Sequence, residues 1–244
     1  MAINLMNLPN IYGFNETSEA GSNIFAPSIF LGNCNFRCPY CMNSKLVKMA
    51  RRLGPINISE VRDYVTKEKC EWVNISGGEP TVTAIELLAN LMNEIRSWGC
   101  KIGLSTNGNM PYVIHILMPL INYISMDIKC VRAEDYRQLM LKNDNYLFNV
   151  IKTQAIMATY KLSRKDFDYE IRTTLYPKFI DSAVIKEIGS ILRRDDKWVL
   201  QQFRHTENML DESCRNVSPY TDAEVDELVE IAKKYCDNVQ LKCV

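Results

Sequence analysis

Short apolar runs recur along the chain, and each is followed by an amphipathic stretch. Six runs read as strands: PSIFLGN (27–33), WVNISGG (72–78), KIGLSTN (101–107), YISMDIK (123–129), YEIRTTL (169–175) and WVLQQF (198–203). Each is rich in β-branched or aromatic residues and ends on small or polar ones. Helical stretches lie between them. The stretch 83–99 opens with Thr83 and Glu86 at the spacing of a capping box and closes at Gly99, a natural residue just past a helix end. The stretch 181–194 starts on Asp181, a good N-cap. The stretch 221–236 repeats the box in Thr221 and Glu224 and carries lysines near its C-terminal end. A short strand, NVQLK (238–242), closes the chain.

Six β/α units predict an α/β fold, a parallel sheet with helices outside, either open or curled into a partial barrel. No Pro/Gly/Ser-rich linker, charge block or low-complexity tract divides the chain. The expected organisation is one domain over 1–244: an N-terminal extension (1–25), a barrel core (26–205) and a C-terminal helix and strand (206–244). With 244 residues, 47% of them hydrophobic and 24% charged, the chain has a globular profile and one good-sized core. Lys and Arg total 29 against 29 Asp and Glu, so no overall field draws it to nucleic acid. No apolar run approaches the roughly 18 residues of a membrane span. The first residues also lack a basic segment followed by an apolar one. These features predict a soluble, cytoplasmic protein. Its nine cysteines then read as metal ligands or thiols, because a reducing compartment disfavours disulfides.

Catalytic groups in such folds collect at the C-terminal ends of the strands. Here Cys34 follows the first strand, Gly77, Gly78 and Glu79 the second, and Ser105, Thr106 and Asn107 the third. Asp127 and Lys129 end the fourth strand, Arg172 lies in the fifth, and His205 follows the sixth. CNFRCPYC (34–41) places Cys34, Cys38 and Cys41 in one loop. Three thiolates can hold three irons of a cubane cluster and leave the fourth iron open. Zinc competes for the same loop, with a fourth ligand drawn from Cys70 or a histidine. The absence of a second C-x-x-C pair favours the cluster. Gly77 and Gly78 would let backbone approach a ligand closely, and the Glu79 carboxylate suits an ammonium group. GGEP alone would equally serve as a turn. Asp127 and Lys129, two apart on a strand, share a face and would also make a plain ion pair. Arg172 has the same alternative as a structural salt-bridge partner. His115 reads as structural.

C-x-x-x-C-x-x-C after the first strand, followed by GGEP after the second, resembles the radical S-adenosylmethionine enzymes, over residues 27–205. The resemblance implies a partial (β/α)6 barrel and a [4Fe–4S] cluster on Cys34, Cys38 and Cys41. It also implies S-adenosylmethionine chelated to the open iron through its amino and carboxylate groups. Reductive cleavage of the sulfonium would then give a 5′-deoxyadenosyl radical, which takes a hydrogen atom from the substrate. Tyr40 would pack against the adenine.

The short members that activate glycyl-radical enzymes are similar in length. They are also similar in STNG (105–108), MDIK (126–129), IRTTLYP (171–177) and LQQFRH (200–205). By that match Asp127, Lys129, Arg172 and His205 contact the cofactor, with Ser105 and Asn107 beside them. Lys129 and Arg172 have the right chemistry for its carboxylate. The implied partner is a glycyl-radical enzyme. With no ferredoxin-like insertion, the implied electron donor is flavodoxin or ferredoxin.

Three departures bear on the choice of substrate. NETSEAGSN stands where activators of this type carry DGPG, and Met42 stands where many have histidine, although Asn43 after it matches. Ser105 replaces an aspartate that helps bind a monovalent cation in the pyruvate formate-lyase type, which puts such a site in doubt. A radical enzyme acting on a small molecule, RNA or a peptide is the alternative, and a non-catalytic metal-binding module is the alternative of another class. Cys70, Cys100, Cys130, Cys214, Cys236 and Cys243 form no C-x-x-C pair and read as small buried hydrophobes. A second cluster on Cys214, Cys236 and Cys243 is the lesser reading.

Overall fold

A computed structural model describes residues 7–21, 24–141 and 145–242. The chain opens on β1 (Ile11–Asn15) and a hairpin of β2 (Glu19–Gly21) and β3 (Ile24–Phe25). Strand β4 (Ser28–Leu31) leads into the cysteine loop, which is followed by α1 (Ser44–Met49) and α2 (Ile58–Lys67). Strand and helix then alternate through β5 (Trp72–Gly77), α3 (Ile85–Ser97), β6 (Lys101–Thr106), α4 (Pro111–Leu117) and β7 (Tyr123–Asp127). Two helices follow, α5 (Ala133–Leu139) and α6 (Tyr146–Ser163), before β8 (Asp168–Leu175) and α7 (Ser182–Ile191). The chain ends through β9 (Lys197–Gln202), α8 (Asp222–Ala232) and β10 (Asn238–Lys242).

One sheet runs in the order β1-β4-β5-β6-β7-β8-β9-β10. Every pair from β4 to β10 is parallel, and β1 joins the outer side of β4 antiparallel. This is the parallel sheet the alternation predicts, in the partial-barrel arrangement that the resemblance implies. The six expected strands are present to within two residues at each end, and the closing strand adds a seventh to the parallel run.

The strand period of two sorts the side chains. Val73, Ile75, Ile102, Leu104, Ile124, Met126, Ile171, Trp198 and Leu200 are buried beneath the helices. Each contributes about 1.5–3 kcal/mol by leaving water. On α3 the spacing of Leu88, Leu91, Met92 and Ile95, all fully buried, presents one apolar stripe to this surface. Asn74, Ser105, Ser125, Glu170 and Arg172 lie on the opposite, inner face. There Asn74 Nδ2 lies 3.0 Å from Ser28 Oγ and 3.3 Å from Ser105 Oγ, tying three strands together. The hairpin fills the N-terminal end of this polar interior. Ala20 packs on Gly103, Gly21 packs on the Tyr123 ring, and the Ala20 carbonyl lies 2.7 Å from Ser125 Oγ. Among the described residues no helix is long and apolar enough to cross a membrane.

The caps divide. Asp181 accepts the Val184 N–H, and Thr221 with Glu224 forms the full capping box. Gly99 sits past the end of α3 at φ +87°, as its position predicts. The Thr83–Glu86 box does not form. Glu79 caps a short 3-10 turn over Pro80–Val82, and the Thr83 N–H closes that turn on the Pro80 carbonyl at 3.0 Å. Helix α3 therefore begins one residue later, after Ala84, without a side-chain cap. Asp181→Ala is expected to cost about 1 kcal/mol of folding stability, and Thr83→Ala less than about 0.5 kcal/mol. Equal losses in urea denaturation would contradict this assignment of caps.

Candidate active site

The cysteine loop leaves β4 through Asn33, which takes a left-handed conformation (φ 66°) that asparagine tolerates. Backbone hydrogen bonds clamp the loop from both sides. Arg37 N–H donates to the Leu139 carbonyl (2.5 Å) and Leu141 N–H to the Asn35 carbonyl (3.1 Å). On the other side, Leu210 and Asp211 donate to the carbonyls of Cys41 (3.1 Å) and Pro39 (2.9 Å). Arg37 folds back, and its Nη1 donates to the carbonyls of Cys34 and Phe36. These clamps come from residues roughly 100 and 170 positions away and carry no local signal.

Gly77 and Gly78 are needed for a reason the sequence does not show. A Cβ on Gly78 would lie 1.8 Å from the Asn33 carbonyl oxygen, and one on Gly77 2.2 Å from that of Leu31. Gly77 also has φ +127°. The chain entering the cysteine loop approaches these glycines closely, and both also line the cavity described below. Gly78 N–H donates to the Leu31 carbonyl (2.9 Å), Glu79 N–H to that of Asn33 (2.8 Å), and Asn43 Nδ2 to that of Gly77 (2.9 Å).

Glu79 is engaged within the chain. Its carboxylate is 1% exposed and accepts from Thr81 N–H (3.1 Å), Thr81 Oγ1 (2.6 Å), Thr106 Oγ1 (2.7 Å) and Asn107 N–H (2.7 Å). Burial raises its pKa, and these donors oppose the rise. The group expected to meet an ammonium joins the loop after β5 to the loop after β6, and it also lines the cavity described below.

A cavity of about 270 Å³ opens at this rim. It is lined by Cys34, Cys38, Tyr40, Cys41, Gly77, Gly78, Glu79, Ser105, Asn107, Asp127, Lys129 and Arg172. Asp127 and Lys129 do form the ion pair, at 3.2 Å. Burial works to lower the Lys129 pKa, but Asp127, Cys38 and neighbouring tyrosines outweigh it and hold the ammonium above its usual range. Burial pushes the thiols of Cys34 and Cys38 up to about 12, and that of Cys41 up as well. The Lys129 ammonium opposes the rise at each of the three. Such thiols ionise when a metal replaces the proton.

Tyr40 packs on Tyr176 with ring centroids 4.6 Å apart, in a cluster with Phe179 and Phe203. Ser105 lies against Asn74, and Asn107 Nδ2 donates to Asn35 Oδ1 at 2.7 Å. His205 does not reach the cavity. Its Nε2 lies 2.7 Å from the Val217 carbonyl, and Gln201, Gln202, Phe203 and Arg204 line the wall instead. Strand alternation was the available signal for Gln201, which pairs with Thr174 in the register that places Val199 beside Arg172.

The zinc reading lacks its fourth ligand. Cys70 precedes β5, at the opposite end of that strand from the cysteine loop, and His115 packs on Tyr160. No three His, Cys, Asp or Glu side chains converge on one ion-sized point among the described residues. Three soft donors in one loop fit a cluster. Three lining residues, moreover, carry a buried polar atom with no partner: Tyr40 OH, Arg172 Nη2 and Gln202 Oε1. Buried polar groups of that kind call for a partner, such as a polar ligand or an ordered water. Of the other cysteines, Cys100, Cys130, Cys214 and Cys236 are buried and Cys70 is half-buried; Cys243 lies outside the described residues.

The radical SAM superfamily model matches residues 28–186. The chain is 29% identical over 218 residues to a Methanocaldococcus jannaschii protein named "Putative glycyl-radical enzyme activating enzyme", and the match covers 88% of both chains. It is 27% identical over 150 residues to 7-carboxy-7-deazaguanine synthase of Thermococcus kodakarensis, covering 51% of this chain and 59% of that one. A solved structure of TYW1 with a lysine–pyruvate adduct shares the fold, with a TM-score of 0.57 and 15% identity over 86% of this chain and 74% of that one.

Glu79→Ala strips four donors of their acceptor and is expected to cost at least about 2 kcal/mol of stability. Weaker cofactor binding at unchanged stability in urea would contradict the tie between loops. Gly78→Ala is expected to lower the iron bound after anaerobic reconstitution, because the cysteine loop must shift to admit the methyl. A full iron load would show that the contact is dispensable.

Proposed function

The chain belongs to the radical SAM superfamily, and from that premise we propose that it is an activase, drawing a hydrogen atom from a backbone glycine of a partner glycyl-radical enzyme. Enzymes of this superfamily use a [4Fe–4S] cluster and S-adenosylmethionine. When bound, that pair supplies the one-electron chemistry that removes hydrogen from substrate. Cys34, Cys38 and Cys41 would hold three irons, leaving the fourth to the cofactor. Arg172 and Lys129 would bind the cofactor carboxylate, and Tyr40 would pack against its base. Asp127 holds the Lys129 ammonium in place. A separate one-electron carrier of the flavodoxin or ferredoxin class would supply the electron.

The similarity to a relative named for glycyl-radical activation carries this reading. The cavity of about 270 Å³ would take the cofactor, and a loop of a partner protein would be presented at its mouth. A second depression, lined by Pro39, Lys178 and Asp211, shares no residue with it. The relative named for glycyl-radical activation supports the reading by matching 88% of this chain, against 51% for the deazaguanine synthase. That synthase favours a second reading, a radical enzyme acting on a small molecule.

The test is anaerobic, with reconstituted protein, a reductant, S-adenosylmethionine and peptides that carry candidate glycyl-radical loops. The activase reading expects faster 5′-deoxyadenosine release and a glycyl signal in electron paramagnetic resonance. Release stimulated only by a small molecule, with no radical on any glycine loop, would move the assignment to the second reading. Cys38→Ala is expected to fall well short of about four irons per chain; a full load would contradict the ligand set.

A further inference from the structure

Arg172 lines the cavity, yet its guanidinium is held from below. Its Nε donates to Glu170 Oε1 at 2.5 Å, two residues back on the same face of β8. Its Nη2 is buried and has no acceptor among the described residues. Glu170 is itself fully buried and fixed from several sides. Tyr123 OH donates to Oε2 at 3.0 Å, Ser125 Oγ lies 3.1 Å from Oε1, and Lys197 Nζ lies 3.4 Å from Oε2. Those partners come from β7 and β9, which flank β8 on either side. A carboxylate anchored to both neighbouring strands cannot follow a moving guanidinium. The guanidinium must follow it.

One nitrogen of the planar fork is thereby spent on Glu170 and another is left free, with its direction set. We propose that Glu170 is a positioning residue for the cofactor. It fixes Arg172 so that the unpartnered nitrogen meets the carboxylate of S-adenosylmethionine, and so sets the preference for that cofactor over its decarboxylated analogue. The inference rests on the reading of Arg172 as a cofactor ligand.

Charge alone predicts the opposite sign. The negative charge of Glu170 opposes an anion at Arg172 through space, so removing it would strengthen binding. Glu170→Asp separates the two effects, because it keeps the charge and draws the carboxylate back by one methylene. Holoenzyme carrying Glu170→Asp, Arg172→Met or Tyr123→Phe is titrated calorimetrically with S-adenosylmethionine and with the decarboxylated analogue, and thermal unfolding is followed in parallel. Glu170→Asp is expected to weaken S-adenosylmethionine binding about tenfold while moving the analogue less than about twofold. Tyr123→Phe, which loosens Glu170 from its other side, is expected to narrow the preference about threefold. A lower Tm with an unchanged preference would overturn the proposal and leave Glu170 purely structural. Should Glu170→Asp fail to fold, an unchanged preference in Tyr123→Phe overturns it equally. If Arg172→Met leaves the preference intact, the cofactor reading of Arg172 fails and takes this inference with it. If Arg172→Met narrows the preference and Glu170→Asp does not, the inference alone fails.

Discussion

The backbone of Gly77, Gly78 and Glu79 lies directly against Leu31 and Asn33, and the rest of the rim depends on that contact. Two hydrogen bonds beyond the β4–β5 ladder join the segments, and no side chain larger than hydrogen fits between them. The contact sets where the cysteine loop leaves β4. Glu79 then extends the interlock, because its carboxylate is the shared acceptor for Thr81, Thr106 and Asn107. Three strand ends are thereby locked to one another before any ligand arrives. A site that must hold a metal cluster and an organic cofactor side by side needs such rigidity, since small misplacements in the supporting groups are costly.

A second constraint runs through the interior. Most of the helix-covered face of the sheet is apolar, whereas the inner face is polar and internally satisfied, from Ser28 and Asn74 through Ser105 and Ser125 to Glu170. Buried polar groups are costly unless paired. The hairpin that closes the N-terminal end therefore does electrostatic as well as packing work, through the Ala20 carbonyl at Ser125. The cavity sits at the other end of this column. There Lys129 is the cation that stabilises ionised thiols at all three cysteines, and Arg172 presents a nitrogen that nothing in the described chain engages.

Much of this was legible in the sequence. Strand periodicity located all the central strands, and the rule that chemistry gathers at their C-terminal ends brought Cys34, Gly78, Asn107, Asp127, Lys129 and Arg172 to one cavity. Other features have physical causes that the sequence does not display. His205 stands three residues past the end of β9, and after a strand ends nothing local dictates which residue turns inward; Phe203 and Arg204 line the cavity and His205 does not. Glu79 looked free because its partners on the next loop lie 27 and 28 residues away. The long helix α6 is less legible as an amphipathic stretch, since two of its buried positions, Thr153 and Gln154, are polar. Thr153 donates to the Gly108 carbonyl and Gln154 to Asp196, contacts that sequence periodicity does not register. Thr83 lost its cap to a turn that Glu79 starts first.

The central claim is that three thiols leave one metal corner open to the cofactor, beside Lys129 and Arg172. Electron–nuclear double resonance on reduced holoenzyme, with S-adenosylmethionine labelled with 15N at its amino group, tests it most directly. A resolved 15N coupling to the cluster is the predicted result, because on this account the amino nitrogen would bind the iron that no cysteine holds. A cluster spectrum indifferent to the label would mean that the fourth corner is closed by protein or solvent, and would contradict the account.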